Sequence, residues 1–164
     1  MNIEPDVALA AREQVIALLT LLPSRLGSHW PLDRSSQPDW PAWRSAEELA
    51  LTFGVGAREF NFLHSLHGAR SASLIVECRF GVAPRYSAAE CYRKLLARNH
   101  QNFSEHPSTY ALDPSTKAVL CVAGYLLESL NLDRLTDALT DAALRAISWQ
   151  EEFGSASGSH PRLF

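Results

Sequence analysis

Three cysteines and six histidines are the residues of this 164-residue chain best suited to chemistry. Cys91 with His100, or Cys78 with His64, would make a thiolate–imidazole pair, the arrangement that turns a thiol into a nucleophile. Neither cysteine is accompanied by a nucleophile elbow or an adjacent oxyanion turn, so a small cysteine-dependent enzyme is the weaker reading. His64 and His67 are three apart, which suits a metal on a helix. The alternation around them indicates a strand end instead, where they face opposite sides and cannot share an ion. Gly54-Val55-Gly56 lacks the third glycine and following helix of a dinucleotide fingerprint and reads as a turn. Asp133, Asp137 and Asp141 recur every four residues and read as solvent-facing helix charges. No catalytic residue, metal or cofactor is expected.

The elements that would have to position such groups are clearer than the groups themselves. Val7, Ala11, Val15, Leu18, Leu19 and Leu22 follow the helical period, with Asp6 as N-cap and Pro23 opposing continuation, so the first helix is expected over 7–22. From 23 to 47 the period vanishes in a stretch rich in proline and tryptophan, with Trp30, Trp40 and Trp43. A connection of that length is functional, partly helical near its end, or mobile. Leu49, Leu51, Phe53 and Val55 then share one side of a strand, and Phe60, Phe62, His64 and Leu66 one side of a second. Leu74, Val76, Cys78 and Phe80 continue as a third, giving an antiparallel meander. Ser87 and Glu90 form a capping box ahead of a second helix with Ala88, Cys91, Tyr92, Leu95 and Leu96 in its apolar stripe. Strands at 109–112 and 118–125 flank a turn at Asp113-Pro114-Ser115-Thr116. A last helix over 133–153 carries Leu135, Leu139, Ala142, Ala146, Ile147 and Trp149 or Phe153 inward. The expected fold is α+β, an antiparallel sheet flanked by three helices in the order α-β-β-β-α-β-β-α. A single domain is expected over 1–153 and a flexible tail over 154–164.

Composition narrows the classes further. With 46% hydrophobic and 20% charged residues the chain can bury one core. A net charge of -3 gives no general attraction to nucleic acid or anionic lipid. Arg85, Arg93, Lys94 and Arg98 make a local basic face on the second helix, which reads as solvated surface; a nucleic-acid or regulatory binding module is the competing use. The first residues lack the basic and apolar regions of a secretory signal, and no segment is read as spanning a bilayer. A soluble cytoplasmic protein with reduced, mostly buried thiols is expected.

The order of elements, with Phe80-Gly81-Val82-Ala83-Pro84, Leu95-Leu96-Ala97-Arg98-Asn99, Leu112-Asp113-Pro114-Ser115-Thr116-Lys117-Ala118-Val119 and a closing helix bearing Trp149, resembles the CesT/SycE-like chaperones of bacterial type III secretion. The resemblance covers about residues 48–153 by motif and the first helix by position. It implies a cytosolic homodimer that binds N-terminal segments of secreted effectors, keeps them extended and presents them to the secretion apparatus and its ATPase. Three departures stand out: the long 23–47 connection, Lys117 where glycine is common, and a less acidic charge.

In such a protein an edge strand pairs with the extended client while pockets take alternate side chains. Leu18, Leu22, Phe53, Phe60 and Phe62 are the expected pocket residues, each with ordinary core packing as its competing role. Cys91, Tyr92, Leu95 and Leu96 are the expected dimer interface. Trp30, Trp40 and Trp43 are either a lid over the sheet or an accessory partner contact.

Overall fold

The first helix, α1 (Pro5–Leu26), is longer than its sequence pattern suggests. In this computed structural model the described residues are 5–26, 38–55, 58–102 and 108–153. Pro23 does not end α1. It sits in the last turn, where the helix gains more from seating Leu26, 1% exposed, in the core than it loses with one amide. Asp6 consequently lies in the first turn rather than at the cap.

A fourth helix adds to the three expected: α2 (Trp40–Ser45), six residues inside the tryptophan-rich connection. Asp39 caps it, its carboxylate accepting from the Ala42 amide at 3.2 Å, and Pro41 occupies the first turn, where a missing N–H is harmless. Trp30 and the 154–164 tail lie outside the described residues.

Strands β1 (Glu48–Val55), β2 (Arg58–Ser65) and β3 (Ser73–Val82) form the expected meander, with a 3-10 turn at Gly68–Ala72 before β3. After α3 (Ala88–Asn102), strands β4 (Ser108–Leu112) and β5 (Ala118–Leu126) complete an antiparallel sheet in the order β1-β2-β3-β5-β4. α4 (Leu132–Phe153) closes the described chain. Glu90 turns to Lys94 at 3.3 Å, while the Ser87 carbonyl receives the Cys91 amide at 2.9 Å at the start of α3.

α4 buries Leu135, Leu139, Ala143, Ala146, Trp149 and Phe153, a stripe at intervals of four and three. With Val15, Leu19, Leu22 and Leu26 of α1 it covers Phe60, Phe62, Leu74, Val76, Cys78 and Phe80 of the sheet. Trp149 explains the glycine after Phe80. Gly81 has φ +123, beside an irregularity in the β3–β5 register, and a Cβ there would stand 3.3 Å from the indole ring. The Gln150 side chain donates to the Phe80 carbonyl at 3.2 Å across the same contact.

Among the described residues, no helix covers the middle rows of the opposite face of the sheet. Leu63, Ile75, Leu120 and Val122 are only half-buried there, and Thr52 donates to Asn61, which donates to Glu77, at 2.8 and 3.3 Å.

Candidate functional site

The thiol–imidazole pairs do not form. On antiparallel strands with Phe60 opposite Cys78, His64 stands four residues away, roughly 13 Å along the strand. Nine residues of α3 separate Cys91 from His100, about 13 Å of rise. Cys78 and Cys121 lie directly opposite each other on β3 and β5, where burial pushes their thiols up to about 12 and about 11. Burial also raises Cys91. All three remain protonated and unreactive near neutral pH. Cys78 and Cys121 line a cleft of about 350 Å³ between α4 and β3–β5, rimmed by Arg134, Asp137, Asp141 and Arg145. His64 is buried and His67 exposed, and no cluster of metal-ligating side chains occurs among the described residues.

The two edges of the sheet are finished differently. α3 lies along β4, and the Asn99 side chain accepts the Tyr110 N–H at 2.7 Å and donates to the Tyr110 carbonyl at 2.9 Å. At the centre of β4, one side-chain amide thus supplies the two backbone bonds that a sixth strand would give Tyr110. β1 pairs with β2 alone, and among the described residues no side chain occupies its outer rim in this way.

Of the five expected pocket residues, Leu22, Phe60 and Phe62 are fully buried and Leu18 is nearly so. Alternation identified their face without revealing that α1 and α4 close it. Phe53 differs. It sits on edge strand β1, half-buried, with its ring edge-on to Phe62 at 5.8 Å. Apolar surface also lies on the outside of α1: Val7, which the helical period groups with the core stripe, is 56% exposed, and Leu9 and Leu21, which it leaves out, are 47% and 54% exposed. With these apolar residues added to its buried ones, the helix reaches a mean hydropathy of 1.4, enough by length and composition to cross a bilayer. Its inner side is nevertheless packed on the core, with Arg12 buried among those contacts.

Along α3, Cys91 and Leu95 point into the core and Tyr92 is half-buried, whereas Leu96 is 69% exposed. Lys94 and Arg98 reach Glu152 of α4 at 2.6 and 3.0 Å, and Lys94 also lies over the Phe153 ring. Much of the expected basic face is therefore neutralised, which weakens its case as a nucleic-acid surface. Trp40 and Trp43 meet edge-to-face at 5.4 Å and pack half-buried against the core.

Residues 47–150, which hold the sheet, α3 and most of α4, match the Tir chaperone protein (CesT) family. The chain belongs to this family. It is accordingly a type III secretion chaperone and not an enzyme. The CesT-like fold is shared with the crystal structure of the ExsC–ExsE complex, at a TM-score of 0.63 and 20% identity over 89% of this chain and 98% of that one. The ExoT–SpcS complex from Pseudomonas aeruginosa aligns over 90% of this chain and 97% of that one, at 17% identity and a TM-score of 0.42. No curated protein sequence matches the chain.

Proposed function

We propose that this CesT-family chaperone acts in the bacterial cytoplasm as a homodimer, holding the N-terminal segment of a secreted effector extended and handing it to the secretion apparatus and its ATPase. The observation that carries the reading is the β1 edge, left without a strand partner among the described residues, on a fold whose α1 helix exposes Val7, Leu9 and Leu21. An extended chain pairing with β1 needs no particular sequence for its backbone bonds. Val7, Leu9 and Leu21, with Phe53 at the strand margin, offer places for its apolar side chains. Each large side chain buried contributes about 1.5–3 kcal/mol, from which the ordering of the client is subtracted. Leu22, Phe60 and Phe62 support this surface from inside, and Leu18 lies just beneath it. The similar solved structure is itself a complex of ExsC with ExsE.

Leu96 is the residue of α3 that a second copy would cover, with Tyr92 beside it, while Cys91 and Leu95 hold the helix in place from within. Two measurements test the proposal. Leu96→Glu is expected to convert dimer to monomer by light scattering without loss of secondary structure; an unchanged dimer removes α3 from the interface. Leu9→Asp with Leu21→Asp is expected to weaken binding of an effector N-terminal peptide at least about tenfold, or about 1.4 kcal/mol. Undiminished affinity would remove α1 from the client surface.

A further inference from the structure

Arg12 is fully buried in the middle of apolar α1, and its guanidinium makes no ion pair among the described residues. Its Nε–H donates to His64 Nδ1 at 2.9 Å. One terminal nitrogen donates to the carbonyls of Trp43 and Ala46, the latter at 2.9 Å. The other donates to the carbonyls of Glu47 and His64 at 3.3 and 3.2 Å. All five N–H groups are thereby used, on four carbonyls and one imidazole.

This geometry dictates the state of His64, which is 2% exposed. A permanently protonated guanidinium can only donate, so Nδ1 must accept; the ring is neutral and its proton sits on Nε2, 3.2 Å from the Ser71 carbonyl. The charged groups around the ring are unequal. Arg12 of α1 opposes its protonation and Glu48 of β1 favours it. Farther out, Glu13 of α1 pairs with Arg44 of α2 at 3.0 Å, and the exposed His67 lies 3.9 Å from Glu47.

What depends on this network is α2. The helix buries none of its residues completely. Its attachment consists of the half-buried Trp40 and Trp43, the exposed Arg44–Glu13 pair, and the hold of Arg12 on Trp43 and on Ala46 just beyond it.

We propose that Arg12 and His64 form a proton-operated latch, which keeps α2 and its two tryptophans against the core while His64 is neutral and releases them when it is protonated. Protonation would set an N–H on Nδ1 against the Arg12 Nε–H, two donors and two positive charges with no acceptor between them. Burial first, and the Arg12 charge second, hold the His64 pKa below its ordinary value. The neutral ring therefore stabilises the closed arrangement fully above about pH 6.5, and that contribution is lost as pH falls through the lower folded value. The latch is independent of any client and can be tested without one.

Acrylamide quenching of tryptophan fluorescence on the full chain, from about pH 7.5 to about pH 5, reads release directly, with far-UV circular dichroism alongside. Quenching is expected to rise about twofold on acidification while the dichroism holds. Trp40→Phe with Trp43→Phe should remove that rise. His64→Gln, whose amide can accept from Arg12 and donate to Ser71 at every pH, should abolish it, and His67→Gln should leave it intact. A His64→Gln protein that responds like the parent, a parent with no response, or loss of dichroism in the same step would each overturn the latch. Should His64→Gln fail to fold, histidine NMR on the parent decides: His64 must titrate in step with the quenching change, and a separate titration rejects the proposal.

Discussion

The two edges of the sheet meet helix side chains in opposite ways. At β4, Asn99 lies alongside the strand and takes both the N–H and the carbonyl of Tyr110. At β1, Arg12 reaches from beneath and takes the carbonyls of Ala46 and Glu47, just ahead of the strand's first residue. The first arrangement finishes an edge. The second fixes where an eight-residue strand begins and, among the described residues, places no side chain along its outer rim in the manner of Asn99. An exposed edge is normally a hazard for association; here a neutral amide caps one side at Tyr110 and the other has no such cover among the described residues, the asymmetry that the proposed client-holding role calls for.

The sharpest way to break this comparison is Arg12→Met. The methionine fills part of the space but strands the Trp43, Ala46, Glu47 and His64 carbonyls, so a loss of about 3–5 kcal/mol is expected in denaturant unfolding. A loss below about 1 kcal/mol would mean that the arginine is not what anchors the head of β1. Asn99→Leu comes next, with an expected cost of about 1–3 kcal/mol and new concentration-dependent association through β4. If that variant stays as stable and as unassociated as the parent, the β4 edge is closed by something other than Asn99. The smallest effect concerns the β4–β5 hairpin, where Lys117 sits at φ 60. Lys117→Gly relieves the left-handed strain and should raise stability by up to about 1 kcal/mol, with no change in client binding. Measurable destabilisation would show that the lysine side chain contributes to the turn beyond its backbone.

Much of this architecture was legible in the chain because the strands announce themselves through period-two alternation and the two long core helices through period 3.6. The tryptophan-rich connection was not. Six residues are too few to display a helical period, and the signal for α2 was local: Asp39 followed by Pro41. Pro23 misled for the converse reason, since tertiary burial of Leu26 outweighed a local break. Phe53, Phe60 and Phe62 read alike in sequence yet differ in exposure, because accessibility depends on whether a strand is central or at the margin. Asn99 stood in view inside a recognisable motif, but its partner lies 11 residues on and across an element boundary. Arg12 carries no signal in the helical pattern; only the fold brings five acceptors to it.

The cross-strand chain from Thr52 through Asn61 to Glu77 adds a constraint on how any guest can join the sheet. Sliding β1 by one position would turn Thr52 to the opposite face and sever that row of polar contacts. Under the proposed function, a client segment would therefore dock beside β1 with the host's own pairing preserved, rather than evict a resident strand. Its unloading would then require only peeling the client away, with no repair of the host.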